Sequence, residues 1–351
     1  MIKFEEALNI IIKSVKTLDA ESVQLEKSLG LILAEDVVSD MNMPPFDKSA
    51  MDGYACRYDD INNELEVIEL IAAGEVPEKK IEKNQCSKIM TGAMIPEGAD
   101  CVLMIEHTKE TEEGKIIYTK KVKEIEVCNI EPSEKRQLNI CYMAEDIKKG
   151  DVVIKKGIKI QAQDVATMAS VGYVLVSVAK IPRVAVIPTG NEIVEPNLTP
   201  SVSQIRNSNG AQLVAQLKNI GIDAWYNGIA RDTEAETMKM IEDAYQENDI
   251  ILLTGGVSKG DYDLVPEILQ KLKFELLFQE IAVQPGKPTV FGVRENKYCF
   301  GLPGNPVSSF VQFEMLVKPL IYSLMNQRKA LFDIRLPLSK DYWRKRVDRL
   351  A

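Results

Sequence analysis

Residues 181–192 read Ile181-Pro182-Arg183-Val184-Ala185-Val186-Ile187-Pro188-Thr189-Gly190-Asn191-Glu192, and they decide the fold. Val184–Ile187 is apolar without a break, the pattern of a strand buried on both faces of a parallel sheet. Downstream, Asp249–Leu253 forms a second such run and leads into Thr254-Gly255-Gly256-Val257-Ser258-Lys259-Gly260-Asp261. Around these strands the apolar spacing turns helical, over Ser208–Asn219, Glu234–Tyr245 and Leu264–Leu272, with a further strand ending near Ile229. Segments 279–293 and 297–302 add strands, and Asn305–Leu324 closes as a helix. The alternation predicts an α/β fold with a doubly wound, mostly parallel sheet.

Upstream the pattern differs. Phe4, Ala7, Leu8, Ile11, Ile12 and Val15 give helical spacing over residues 4–18. Residues 23–38 read as a short strand, a turn at Gly30 and a short helix, and Pro44-Pro45 force an extended connection. Short β-prone runs follow at Leu65–Ile71, Gln85–Met90, Cys101–Glu106 and Lys115–Lys121, an elongated N-terminal β-rich region. Residues 121–137 read as loop and edge strand. The expected division is an N-terminal helix (1–22) lying on the α/β domain, a connecting domain (23–49 with 141–180) and a small β-rich domain (50–140). The α/β domain (181–325) and a C-terminal segment (326–351) complete it.

Charge and composition narrow the function. The 351 residues carry 43 Lys and Arg against 52 Asp and Glu, a net charge of -9, which argues against a nucleic-acid-coating surface. No apolar run approaches a membrane span, and the N-terminus does not read as a signal peptide, so the expectation is a cytoplasmic protein with no membrane partner. The six cysteines are scattered without a CxxC pair, as suits reduced thiols. The single histidine, His107, rules out a His-rich zinc centre. A Ser-His-Asp triad would have to be built around His107 itself, which reads more readily as a structural or surface residue. Chemistry must come from carboxylates, lysines, hydroxyls, backbone amides and a bound metal.

Six constellations carry that chemistry. Pro188–Glu192 and the Thr254–Asp261 loop both follow buried strands, where ligands of open α/β sheets bind. Glycine there lets backbone N–H groups approach a phosphate, although a Gly-Gly pair alone is equally a tight turn, and neither Walker A nor GxGxxG is present. Gln284-Pro285-Gly286-Lys287-Pro288 holds a lysine in a restricted turn, suited to an anion. In Leu302-Pro303-Gly304-Asn305-Pro306-Val307-Ser308, Asn305 is a natural N-cap and Pro306 a first helical residue. Pro45–Ala55 joins Asp47 and Asp52 through small residues, and Ile89–Ala93 ends a strand in a Thr-Gly turn.

In order and spacing these motifs resemble the molybdopterin molybdotransferases (MoeA-like proteins), whose animal counterpart is the E domain of gephyrin. The matching stretches are FDKSAMDGYA, Ala73–Glu75, IMTGAMIPEGADCVLMIE, PTGNE, Asn207–Gly210, TGGVSKGDYD, PGKP and GLPGNPVSS. The resemblance spans the chain to about residue 325. It implies an enzyme that inserts molybdenum from molybdate into adenylylated molybdopterin, with Mg²⁺ and with release of AMP; the alternative is a non-catalytic molybdopterin-nucleotide scaffold. By the motifs it carries over Asp52, Glu192, Asp232, Asp261 and Lys287 as catalytic, with Glu192 and Asp261 at the metal. Thr91, Asp146, Thr189, Gly190, Gly255, Gly256, Ser258, Pro303, Asn305, Pro306 and Ser308 are carried over as binding pterin, phosphates or molybdate. It implies a homodimer with sites between subunits, Asp52 coming from the second chain, and a molybdopterin adenylyltransferase as partner.

Three departures stand out. The family's NIRxxGED stretch reads Asn139-Ile140-Cys141-Tyr142-Met143-Ala144-Glu145-Asp146, keeping the last carboxylate but not the Arg or the Gly. Positions often basic before PGK are Gln284 and Glu280. Family members also continue into a C-terminal β-domain, of which 326–351 would be only a beginning.

Overall fold

The computed structural model describes residues 1–120, 138–256, 264–327, 336–337 and 339–341. The expectations placed on 121–137, on Ser258 and Asp261, and on most of 326–351 lie outside the described residues. The chain forms two compact units, Asp36–Ile154 with Thr167–Gly172, and Met1–Glu35 with Lys155–Ala166 and Tyr173–Ala351.

The smaller unit is built on four strands, β1 (Gly53–Cys56), β2 (Glu66–Ile71), β3 (Gln85–Ile89) and β4 (Cys101–Met104), in the order β2-β3-β1-β4. The β2–β3 pair is parallel and the others antiparallel. Central β1 is buried throughout, with Tyr54 and Cys56 in one apolar cluster and Ala55 in another. A Cβ on Gly53 would sit 1.9 Å from the Leu103 carbonyl oxygen, so only glycine lets β1 and β4 come this close.

In the larger unit, α1 (Phe4–Ser14) precedes a six-stranded sheet of β5 (Val184–Pro188), β6 (Trp225–Tyr226), β7 (Ile250–Thr254), β8 (Glu275–Glu280), β9 (Pro288–Arg294) and β10 (Lys297–Leu302). The order is β6-β5-β7-β10-β9-β8, parallel from β6 to β10 and antiparallel at β9 and β8. Its helices are α2 (Ser208–Asn219), α3 (Glu234–Glu247), α4 (Val265–Lys271), α5 (Pro306–Gln312) and α6 (Lys318–Leu324), with a π turn at Phe313–Val317 between the last two. Strand side chains alternate between faces. Val184, Val186, Ile250, Leu252 and Phe300 join Ala7 and Ile11 of α1, Leu213 and Leu217 of α2, and Leu320 and Leu324 of α6. Ala185, Ile187, Ile251 and Leu253 meet Ile241 and Ala244 of α3 and Ile268 and Leu269 of α4 on the other face. Helices therefore cover both faces of a mostly parallel sheet, as the apolar runs require.

This topology gathers the ends of the parallel strands on one edge. Pro188 is in register with Thr254, and Thr254 with Leu302. Because β9 runs against β10, the turn that precedes Pro288 emerges on the same edge.

Four local expectations change. The short helix expected within 23–38 is only a 3-10 turn at Leu25–Lys27. Beyond it the backbone groups are taken by distant chain, Gly30 N–H by the Ile160 carbonyl (2.9 Å) and Leu33 N–H by that of Ile158 (3.0 Å). The single run 279–293 is two strands, β8 and β9, separated by the proline- and glycine-bearing turn. Helix Ala162–Ser170 was not anticipated; the Asp164 carboxylate accepts from Gln161 N–H (2.8 Å) at its start. The run at Cys101 ends at Met104, in a 3-10 turn that contains His107.

Candidate functional site

Neighbouring strand ends are stitched together by their first loop residues. Thr189 N–H donates to the Thr254 carbonyl (2.9 Å), Gly190 N–H to that of Ala230 (3.1 Å) and Gly255 N–H to that of Leu302 (3.1 Å). At Gly255 φ is +99°, and a Cβ would lie 2.5 Å from the Thr189 oxygen, so the crossing of the two loops demands glycine.

Above these ends lies a pocket of about 90 Å³, lined among others by Thr189, Glu192, Asn209, Thr254, Gly255 and Pro306. Asn209 spans it: its Nδ2 donates to Thr254 Oγ1 and to the Gly304 carbonyl, both at 2.8 Å. Asn209 Oδ1 and Thr189 Oγ1 are buried without a hydrogen-bond partner. Each such group costs about 1–3 kcal/mol, which a stability-only design would avoid.

The pocket also meets the start of α2. Asn207 caps that helix, its Oδ1 accepting from Gly210 N–H (2.9 Å) while its Nδ2 donates to the Tyr226 hydroxyl (2.9 Å). Tyr226 in turn donates to Glu195 Oε1 at 2.7 Å. Burial, reinforced by Glu195, pushes the Tyr226 hydroxyl up, so it keeps its proton and its donor role. A capped helix start turns free N–H groups and a partial positive charge toward the pocket.

The expected residues fall into three sets. Thr189, Glu192, Gly255 and Pro306 share the pocket. Gly190, Gly256, Pro303, Asn305 and Ser308 belong to the same strand-end loops. Asn305 Oδ1 accepts from Ser308 N–H (3.1 Å) as the cap of α5, and the Pro303 carbonyl accepts from Thr254 Oγ1 (3.4 Å). Asp232 accepts from Asn191 N–H (2.9 Å), fixing the turn that carries Glu192. Lys287 Nζ stands 3.4 Å from Glu280 Oε1.

Asp52, Thr91 and Asp146 belong to the other unit and are exposed. Asp52 Oδ1 accepts from Thr91 N–H (2.7 Å) and Thr91 Oγ1 (2.9 Å). Those bonds, the backbone one first, hold the Asp52 carboxyl below the usual carboxylate range. Asp146 N–H donates to the Met43 carbonyl (3.0 Å). Sequence reasoning had no individual role for Asn207, Asn209, Tyr226 or Gln312, although Asn207–Gly210 is one of the stretches that carry the family resemblance.

Among the described residues no three His, Cys, Asp or Glu side chains cluster as a metal cage. Mg²⁺ needs none, since it is commonly held by one or two carboxylates with substrate phosphates and water. Glu192 and Asp232 flank Asn191: the Glu192 carboxylate folds back to within 2.6 Å of where a Gly190 Cβ would stand, and Asp232 binds the Asn191 amide. Glu192, the one described member of the expected metal pair, offers only oxygen, as suits a hard cation.

Residues 2–172 match the family model "MoeA N-terminal region (domain I and II)", and residues 185–323 match "Probable molybdopterin binding domain". A molybdopterin molybdenumtransferase from Staphylococcus epidermidis is 39% identical over 350 residues, covering 97% of this chain and 80% of that protein. One from Staphylococcus aureus is 39% identical over 327 residues, covering 91% and 75%. The solved structure of a molybdopterin biosynthesis MoeA protein from Pyrococcus horikoshii is 34% identical, covers 93% of this chain and 81% of that one, and superposes with a TM-score of 0.78.

Proposed function

This chain belongs to the molybdopterin molybdenumtransferase family, and from that premise we propose that it inserts molybdenum from molybdate into adenylylated molybdopterin and releases AMP. It is a transferase of molybdenum cofactor biosynthesis. The observation that carries the detailed reading is the strand-end pocket at the capped start of α2, whose lining residues Thr189 and Asn209 each hold a buried polar atom without a partner.

In this reading the first amides of α2 bind phosphate oxygens, exploiting fixed N–H dipoles rather than mobile charge, while Thr189, Gly190 and Gly255 spend their N–H groups holding the loops that shape the pocket. Asn209 holds the Thr254 and Gly304 loops at a set separation, so the nucleotide meets a preorganised wall. Lys287 contacts the oxyanion, Pro303, Asn305, Pro306 and Ser308 complete the cradle, and Ser258, outside the described residues, is carried over by motif alone. Glu192 and Asp261, the latter outside the described residues, would hold Mg²⁺, which would supply positive charge to offset the anionic substrates. Asp232 acts through Asn191, keeping Glu192 in place. Asp52, kept ionised by Thr91, is supplied by a second copy of the chain, with Asp146 from the same copy helping to position the pterin. A molybdopterin adenylyltransferase delivers the substrate, and the setting is cytoplasmic.

The test is to incubate the chain with adenylylated molybdopterin, molybdate and Mg²⁺, measuring AMP and molybdenum-loaded cofactor together. Tight nucleotide binding without AMP would overturn the catalytic reading in favour of a scaffold.

A further inference from the structure

The turn 281–287 joins β8 to β9, closed by Ile281 N–H donating to the Lys287 carbonyl (2.9 Å). From beneath, the Gly286 carbonyl accepts from Gln312 Nε2 (3.1 Å) and from Thr289 Oγ1 (2.9 Å); Gln312 and Thr289 are fully buried. The turn is thus bolted to the end of α5 and has little freedom to move its lysine.

Glu280 is fixed just as firmly. Its carbonyl accepts from Ile2 N–H (3.1 Å), and two residues on, Ala282 N–H donates to the Ile2 carbonyl (2.7 Å). Its carboxylate sits 3.4 Å from Lys287 Nζ and is the more sheltered partner, 19% exposed against 40% for the lysine. A lysine on the ligand-binding edge is therefore already neutralised by a carboxylate whose backbone cannot drift away.

We propose that Glu280 is a specificity-determining residue: its carboxylate competes with a tetrahedral oxyanion of the molybdate class for Lys287, and so sets how tightly that anion is held. The proposal rests on the reading of Lys287 as the anion contact. An oxyanion arriving at Lys287 must displace Glu280 or share the ammonium with it, and like charges at this range repel. The ion pair also keeps the lysine extended along the hairpin edge when no anion is present.

The experiment uses the full chain, with sodium molybdate titrated calorimetrically into the wild type, Glu280→Gln, Lys287→Met and the double variant. Glu280→Gln is isosteric and removes only the competing charge. It is expected to bind molybdate about tenfold more tightly, the scale of one charge-assisted contact. Its KM for molybdate falls in parallel, with kcat changing less. In the Lys287→Met background the same change has no effect. Unaltered affinity in Glu280→Gln, or an equal gain without Lys287, overturns the proposal. Acylation of Lys287 by acetic anhydride, followed by mass spectrometry without any ligand, should be faster in Glu280→Gln, and an unchanged rate also counts against it. If molybdate does not bind the wild type, a measurable gain in Glu280→Gln supports the proposal and its absence overturns it. A Lys287→Met variant that binds and turns over normally unseats the reading of Lys287. Normal losses in Lys287→Met beside an inert Glu280→Gln unseat Glu280 alone.

Discussion

The strand-end pocket and the Asp52–Thr91 pair solve different problems with different materials. The pocket relies on backbone amides, glycine and buried amide and hydroxyl groups, two of them unpaired, inside the interlocked loops of a parallel sheet. The pair is a single charge on an exposed turn, held by two bonds from one threonine. In the first, recognition is inseparable from folding, because the residues that would meet a ligand also hold the strands. In the second, a charge is presented by a frame that does not depend on it. The two regions should therefore answer mutation differently.

The largest expected effect comes from Asp52→Asn, which removes the charge and leaves the shape. AMP release should fall roughly 100- to 10,000-fold, while the thermal midpoint by calorimetry falls only slightly, because the amide oxygen can still accept from Thr91. A large loss of stability would erase the contrast.

Next, Asp52→Asn and Glu192→Gln should each be inactive alone. Mixed as one preparation of unfolded and refolded chains, they should recover about a quarter of wild-type turnover if sites are completed between two copies. No recovery would break the assignment of Asp52 to a second copy.

Asn209→Leu tests the other side. It removes both donors to Thr254 and Gly304 and should lower the free energy of unfolding by about 2–4 kcal/mol, read by urea denaturation. Nucleotide affinity should drop with it. Unchanged stability would mean that the pocket, too, is only a surface feature.

The smallest effect is a shift in pH dependence. Thr91 favours the ionised form of Asp52, so the folded value lies below the unfolded one. The stability this adds is present above the unfolded value and is lost as pH falls through the folded one. Thr91→Val keeps the N–H bond and loses the hydroxyl bond, so the acid limb of kcat/KM should move to higher pH. An unmoved limb would show that Asp52 is not the group that titrates there.

Much of this was legible in the sequence wherever one physical cause acted alone. Val184–Ile187 and Ile250–Leu253 are apolar on every residue, and a strand buried on both faces is their natural outcome. Ser208–Asn219 was legible from its helical spacing, and the asparagine before it, Asn207, proves to be its cap. The β8–β9 hairpin was half legible: the Pro-Gly-Lys turn was recognised, yet the run around it read as one strand because β-prone residues flank it on both sides. The site was harder, since its pairings are made at a distance. Asp52 meets Thr91 because Gly53 registers against Ile89, and Asn209 reaches Gly304 across 95 positions of chain. Nor does Glu280 announce its partner, because only the hairpin register brings it beside Lys287.

One contact described above bears on the order in which the protein is made. Ile2 pairs with the Glu280–Ala282 segment, and Leu18 N–H donates to the Leu324 carbonyl. The segment from Ile2 to Leu18 must therefore wait for Glu280–Ala282 and Leu324 to be made before the larger unit can close. The four strands between Gly53 and Met104 find all their sheet partners within about fifty residues of synthesis. During translation the region carrying Asp52 can assemble early, while the lysine hairpin is secured only once Gln312 has been made. A chain stalled before Gln312 would thus carry a finished acidic turn and an unfinished strand-end edge.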